Sequence, residues 1–303
     1  MKKIDIKKLE QIKKQHFKYC KKLKPDRRRP VSDDLCWKLC CENPFDFDNL
    51  NPTNPDLKYL KQDYWQYVMS ENNISYISQY GNFRTETEKN KDWNGVKLLR
   101  HLGINVCPYC GLNYISSVDK QNGEIITIAT FDHYFPKEQY RFLAMNIYNL
   151  IPACKNCNTT FKHDDNNKVI NPYFNSVEEN ITFRIANLSI VEQMLFSGIE
   201  PELEVLYDPT KEIVFNHCNV LAIQERYNNF KNIARTLIYK RQKYNKNYIA
   251  ELKSLFNNFL RSDFERDLIK QDIFSTDETF SKFKSDIWEQ LSINQKDSKE
   301  NFI

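Results

Sequence analysis

Apolar residues spaced three and four positions apart predict helices near both ends of the chain. Close to the amino terminus this spacing predicts an amphipathic helix that ends before Pro25 and turns its lysines to solvent. The residues of its apolar face are Leu9, Ile12, His16, Cys20 and Leu23. The same spacing runs from Ile223 to Leu255 and predicts the strongest helix of the chain.

Between these regions the pattern changes to short β-rich runs. GLNYISSV and EIITIATFDHY are separated by residues 119–123, whose polar side chains and glycine predict a hairpin turn. A short helix is expected from Gln139 to Tyr148, and residues 31–100 resemble several short helices interrupted by prolines. The pattern therefore predicts a mainly helical protein with a small β-rich centre.

Composition narrows the classes of protein that this chain can belong to. Its 303 residues are 41% hydrophobic, which is enough to form a folded core. Only six residues are glycine, and neither of the glycine-rich phosphate-binding motifs occurs, so any ATP or NAD chemistry must come from a partner. No apolar stretch is long enough for a signal peptide or a membrane span, and the nine cysteines indicate a reducing compartment. We therefore expect a soluble, cytoplasmic protein that does not act at a membrane.

The charge is small overall but unevenly distributed. The net charge is +4, whereas residues 1–30 alone carry ten lysines and three arginines against three acidic residues, a local charge of +10. Residues 228–247 carry six basic residues and no acidic one. Either stretch could follow a nucleic-acid backbone or simply form a solvated face. The candidates for nucleic-acid binding in these stretches are Arg27, Arg28, Arg29, Lys240 and Arg241.

Two pairs of cysteines predict a structural metal site. Cys107 and Cys110 are separated by two residues, as are Cys154 and Cys157, and 43 residues lie between the pairs. A two-residue gap allows both sulfurs of a pair to bind one ion, and two pairs complete the tetrahedral four-sulfur coordination that Zn²⁺ prefers. We therefore expect these four thiolates to bind zinc.

The residues around these pairs form an ordered motif. A strand that ends in Asp-His is followed by a proline, then by Asn-Leu, then by the second cysteine pair with an asparagine and a lysine. In this chain the motif consists of Cys107, Cys110, Asp132, His133, Pro136, Asn149, Leu150, Cys154, Cys157, Asn158 and Lys162. This order resembles the zinc-bearing form of the HNH endonuclease family, also called ββα-metal or His-Me finger nucleases, over about 70 residues. The chain departs from the common pattern at Asn158, where many members have histidine, and at Lys162, which lies one position later than usual.

The resemblance implies a role for each motif residue. His133 would be the general base, and Asp132 and Asn158 would bind a catalytic Mg²⁺ or Mn²⁺, because hard oxygen ligands suit these ions. Asn149 would brace the loop that carries the histidine. Lys137 and Lys162 are candidates to contact the scissile strand.

The resemblance also implies a fold class and a division of the chain. We expect a mainly α, α+β protein with a small central ββα-metal zinc unit at residues 96–180, a basic helical region at 1–95 and a helical region at 181–303. This plan resembles the nuclease subunits of bacterial anti-phage systems such as Septu and some retrons, which work beside a separate ATPase. DNA is the favoured substrate. An RNA- or tRNA-cleaving toxin and a non-catalytic zinc-stabilised binding module are the alternatives.

Overall fold

The fold was analysed in a computed structural model. It describes residues 1, 3–23, 32–44, 75–85, 93–121, 125–138, 140–163, 168–190, 193–194, 197–244, 246–255 and 278–300. The candidate residues Arg27, Arg28 and Arg29 lie outside these ranges.

Helices and small two-stranded sheets alternate along the described chain. The helices are α1 (Ile6–Cys20), α2 (Asp33–Cys41), α3 (Ile77–Thr85), α4 (Gly95–Leu102), α5 (Glu212–Val220), α6 (Ile223–Asn228), α7 (Lys231–Lys243), α8 (Lys246–Leu255) and α9 (Ser281–Glu300). The strands are β1 (Ser117–Asp119), β2 (Ile125–Thr127), β3 (Thr130–His133), β4 (Leu150–Ala153), β5 (Ile181–Ile185) and β6 (Leu203–Tyr207). They pair antiparallel as β1 with β2, β3 with β4, and β5 with β6. The class is therefore α+β.

The predicted amphipathic helix at the amino terminus is confirmed. Asp5 begins α1 by accepting a hydrogen bond from the backbone N–H of Lys7, and the four apolar positions predicted within the helix are all buried. His16, on this face, donates through Nε2 to the carbonyl of Met145 at 2.8 Å and accepts through Nδ1 from the indole N–H of Trp93 at 3.0 Å. These two bonds join α1 to the centre of the chain and to the residues just before α4.

Helix α2 holds the segment that precedes β4. The side-chain amide of Asn146, which is fully buried, donates to the carbonyls of Leu39 and Glu42, each at 2.9 Å. The backbone N–H of Ile147 donates to the carbonyl of Cys40 at 2.9 Å. Carbonyl groups at the end of a helix have no partner within it, so these bonds end α2 and fix the segment at the same time.

Two predicted helices differ from the structure. The segment from Gln139 to Tyr148 contains only one 3₁₀ turn, Arg141–Leu143, among its described residues, because Asn146 is bonded to α2 there. The single long helix predicted from Ile223 to Leu255 is divided into α6, α7 and α8. Neither break contains proline or glycine, so the spacing of apolar residues gave no sign of them.

The helical region predicted at residues 181–303 also contains two strands that were not predicted, because β5 and β6 form a hairpin there. Side chains from helices cover both of its edges. Gln290 of α9 accepts from the N–H of Ile185 at 2.8 Å and donates to its carbonyl at 3.0 Å. Gln224 of α6 accepts from the N–H of Val205 at 2.8 Å and donates to the carbonyl of Leu203 at 2.9 Å. This cover satisfies backbone groups that an edge strand would leave exposed.

The three regions predicted from the sequence share one hydrophobic core. Buried residues from α1, α4, the β3–β4 ladder, α6 and α9 belong to a single contiguous cluster. No helix within the described part of the chain has both the length and the apolar character needed to cross a membrane.

The buried His16 predicts a dependence of stability on pH. Burial lowers the pKa of its imidazole to about 4, whereas in the unfolded chain it titrates near 6.5, so the unfolded state binds the proton more tightly. The free energy of unfolding should therefore fall as the pH drops below 6.5, by roughly 2 kcal/mol for this histidine between pH 7 and 5. Urea unfolding at several pH values would measure this, and the free energy of unfolding of His16→Gln should depend less steeply on pH than that of the native protein. Any loss of metal at low pH affects both proteins equally, and equal slopes would contradict the prediction.

Candidate functional site

The four cysteines of the predicted zinc site lie together. Their sulfur atoms are all within 4.8 Å of one another, all four side chains are buried, and none forms a disulfide. The sulfurs of Cys110 and Cys154 are 3.9 Å apart, close to the edge of about 3.8 Å expected for a tetrahedron with metal–sulfur bonds of 2.3 Å. Four such thiolates can bind a metal such as zinc. They are the one group within the described residues in which three or more His, Cys, Asp or Glu side chains could hold an ion.

Each cysteine pair lies in a segment with a defined backbone geometry. In the first pair, the N–H of Gly111 donates to the carbonyl of Cys107 at 2.9 Å, with Gly111 at a positive φ of 65°. A Cβ atom at this position would lie 2.9 Å from the side chain of Met1, so glycine is required on two counts. In the second pair, Cys154 directly follows β4, and Cys157 lies in a π-helical turn, Asn156–Lys162.

A half-buried cation, Arg226, accompanies the sulfurs. Arg226 of α6 donates to the sulfur of Cys157 at 3.3 Å, and its guanidinium lies 4.6 Å from the ring centre of Phe161. Four thiolates with Zn²⁺ carry a net charge of −2, so a guanidinium at this position offsets part of it. The motif gave no indication of Arg226, which is distant in sequence from both pairs.

His133 ends β3 at the register position opposite Leu150 of β4. Its Nε2 donates to the carbonyl of Ala144 at 3.0 Å, and its ring packs edge-on against Tyr80 with ring centres 4.3 Å apart. This bond places the proton on Nε2, so Nδ1 carries the lone pair. Burial lowers the pKa of His133 to about 4, which keeps the ring neutral at pH 7, and 8% of the residue stays exposed. Tyr80 was not predicted, because it lies outside the motif.

Asn149 bonds the loop that follows His133 to the segment before β4. Its side-chain oxygen accepts from the N–H of Phe135 at 2.6 Å, and its amide donates to the carbonyls of Phe135 and Leu143, each at 3.1 Å. Leu143 is adjacent to Ala144, the partner of His133. Asn149 is fully buried, so it fixes backbone atoms and does not reach solvent.

Asp132 points into the protein, where two side chains hold its carboxylate. Oδ2 accepts from the hydroxyl of Tyr109 at 2.7 Å, and Oδ1 accepts from the ammonium of Lys162 at 2.9 Å. The same ammonium donates to the carbonyl of His133 at 3.2 Å. Asp132 is 2% exposed and Lys162 is 3% exposed. Lys162, a predicted candidate to contact the scissile strand, thus turns its charge inward in this structure and neutralises Asp132.

Asn158 lies in the π-helical turn and faces the beginning of β3. Its amide donates to the hydroxyl of Thr130 at 3.0 Å and to the carbonyl of Phe131 at 3.2 Å. Its side-chain oxygen has no hydrogen-bond partner among the described residues. The N–H of His163 donates to the carbonyl of Asn158, five residues earlier. A turn closed by this bond contains one residue more than an α-helical turn. This extra residue accounts for the late position of Lys162 in the motif.

The remaining candidates lie on the surface or against other helices. Lys137 forms an ion pair with Glu138 at 3.1 Å. Lys240 and Arg241 are half-buried on α7, and the guanidinium of Arg241 lies 5.1 Å from the ring centre of Trp288 on α9. Part of the basic stretch of α7 therefore packs within the protein.

The cysteine cluster predicts the effect of removing one ligand. Cys107→Ser should lose bound zinc and unfold at a lower temperature, because the remaining three sulfurs cannot complete the tetrahedron. Zinc content by elemental analysis and thermal unfolding with and without a chelator would measure this. Cys218→Ala is the matched control, since Cys218 is buried outside the cluster and its loss should leave the zinc content unchanged. Equal zinc content in the Cys107→Ser variant and the native protein would contradict the assignment.

No family model, curated protein or solved structure matches this chain. A function for it is therefore inferred from the motif and from the geometry of the site.

Proposed function

We propose that this chain is an HNH-type endonuclease that hydrolyses phosphodiester bonds in nucleic acid, with DNA as the favoured substrate. The observation that supports this best is His133. A neutral imidazole with one nitrogen fixed by a backbone carbonyl ends a strand whose partner strand leads directly into a four-cysteine cluster. Such a group is equipped to remove a proton from an attacking water.

The hydrogen bond to Ala144 suits His133 to the role of base. Because Nε2 donates to the carbonyl, the lone pair of Nδ1 is the one that accepts a proton. When the imidazolium forms, the bond from Nε2 becomes charge-assisted and therefore stronger. A phosphate group bound beside the ring favours its protonated form and offsets the effect of burial on its pKa.

A nuclease of this kind also uses a divalent cation. Asp132 and Asn158 would hold Mg²⁺ or Mn²⁺, since carboxylate and amide oxygens are the ligands these ions prefer. In this structure the ammonium of Lys162 forms an ion pair with Asp132. When bound, the metal ion would stabilise the negative charge that develops on the phosphate and on the departing oxygen.

The proposal assigns supporting roles to the rest of the site. Asn149 keeps the carbonyl partner of His133 in place through its bond to Leu143. Zinc at the four cysteines would hold the end of β4 to the turn that carries Asn158. By resemblance to the nuclease subunits of anti-phage systems, we further propose that the chain works with a separate ATPase subunit.

Replacing His133 tests the central claim. His133→Ala should lower the rate of metal-dependent cleavage by a factor of about 10² to 10⁴, because the variant lacks the imidazole that would take the proton. The substrates to compare are supercoiled plasmid, single-stranded DNA and total tRNA, each with Mg²⁺ or Mn²⁺. His101→Ala is the control, since His101 lies on α4 and, within the described residues, its side chain hydrogen-bonds the carbonyl of Lys8.

The outcomes separate the candidate functions. Cleavage of tRNA with no cleavage of DNA would favour the RNA-cleaving toxin. Binding of nucleic acid without any cleavage, by folded and zinc-loaded protein, would favour the non-catalytic module. Equal cleavage by His133→Ala and by the native protein would show that His133 is not the base.

A further inference from the structure

Asp132 is the proposed cation ligand, yet its carboxylate is already neutralised by the chain itself. We propose that Lys162 is a built-in counter-cation, which occupies Asp132 in the resting protein and must leave before a divalent cation can bind. The inference rests on the proposed function in one respect, namely that Asp132 is a ligand of the catalytic metal.

Contacts at Asp132 make the two cations mutually exclusive. Lys162 holds Oδ1 at 2.9 Å and Tyr109 holds Oδ2 at 2.7 Å. With 2% of Asp132 exposed, no hydrated ion can approach the carboxylate while both partners stay in place. Mg²⁺ binds carboxylate oxygens directly at 2.0–2.1 Å, so it needs the space that the ammonium occupies.

Electrostatics leads to the same conclusion. A buried carboxylate is strongly unfavourable unless a positive charge compensates it, and a second cation close to the first would be repelled. Lys162 is the one cation that forms an ion pair with Asp132 among the described residues. The site therefore holds one compensating cation at a time, either the ammonium or a metal ion.

The backbone around Lys162 provides a way for it to move. Lys162 is the last residue of the π-helical turn, and His163 after it has a positive φ of 41°, which is uncommon for a residue other than glycine. Turns with this hydrogen-bond pattern are often found at functional sites. Cys157 lies near the start of the same turn, so the end of the turn can rearrange while the cysteine cluster stays fixed.

The alternative is that the ion pair is permanent and purely structural. In that case Lys162 would never leave Asp132, and its removal would only destabilise the fold. A comparison of metal binding with stability distinguishes the two roles.

Binding of Mn²⁺ by zinc-loaded protein is the first test, measured calorimetrically and without any nucleic acid. Lys162→Met keeps the length of the side chain and removes its charge. If Lys162 leaves Asp132 free in less than about a tenth of native molecules, the variant should bind Mn²⁺ at least about tenfold more tightly than the native protein. Lys155→Met is the matched control, since Lys155 is exposed and adjoins the same turn. It should bind Mn²⁺ like the native protein.

Replacing Asp132 as well separates this inference from the proposed function. Lys162→Met combined with Asp132→Asn should lose the tight binding. If Lys162→Met binds no more tightly than the native protein while Asp132→Asn weakens binding, the counter-cation role is wrong and Asp132 remains a metal ligand. If the double variant binds as well as Lys162→Met, Asp132 is not a ligand, and both the inference and that part of the proposed function fail.

A second measurement uses the native protein, in case Lys162→Met does not fold. Reductive methylation followed by mass spectrometry reports which lysines reach solvent. Mn²⁺ should increase modification of Lys162 several-fold, because the displaced ammonium becomes accessible, whereas modification of the exposed Lys155 should not change. Modification of Lys162 that is unaffected by saturating Mn²⁺ would overturn the proposal.

Discussion

The candidate site depends on four sulfur atoms that hold together parts of the chain with little stability of their own. The β3–β4 ladder is only four residues long, and a two-stranded sheet of that size is marginal in water. Cys154 follows β4 without an intervening residue, and Cys157 lies in the turn that carries Asn158 and Lys162. A metal ion bound by these sulfurs fixes the end of the ladder and the start of the turn at one point. Asn158, which directly follows Cys157, would then have little freedom to move away from the ladder.

Tyr109 extends this constraint from the cysteines to the acidic residue of the motif. It lies between the two cysteines of the first pair, and its hydroxyl donates to Asp132. Its own backbone carbonyl accepts from His217 of α5, while Tyr227 of α6 donates to the carbonyl of Cys110 at 2.8 Å. Buried carbonyl groups of a tight turn need donors, and helices distant in sequence supply them. The helices after residue 210 therefore form part of the site's support.

The sequence predicted those features whose signal is local. Residue spacing revealed the buried face of α1. The two cysteine pairs predicted their own association, because each two-residue gap allows both sulfurs of a pair to bind one ion. The pairing of β1 with β2 was predicted in the same way, although residues 122–124 between them lie outside the described residues. The apolar residues Ile181, Phe183 and Ile185 alternate with polar ones along the sequence and are buried in β5, so this strand also has a local signal.

What the sequence did not predict depends on packing across the chain. Tyr80 against the ring of His133 and Arg226 against Cys157 join residues separated by 51 or more positions from the cysteine or strand they support. No pattern within a short window contains such pairs. Lys162 is a different case. The sequence motif included this lysine, but it did not indicate that the side chain points into the protein. A lysine is normally exposed, and only the π-helical turn, with its additional residue, rotates this one towards Asp132.

The cysteine cluster and Asp132 have similar arrangements of charge. Thiolates at the cysteine cluster and the carboxylate of Asp132 are buried anions, and Arg226 and Lys162 each bring one cation to them. The two cations differ in what they can do. Arg226 also donates to the carbonyl of Leu221 and packs on Phe161, and Lys162 also donates to the carbonyl of His133, but Lys162 ends a turn with a strained residue after it. A guanidinium with several partners suits a permanent charge, and a single ammonium on a flexible side chain suits one that can be replaced. Under the proposed exchange at Asp132, the permanent charge lies beside the four cysteines and the exchangeable charge at the candidate catalytic site.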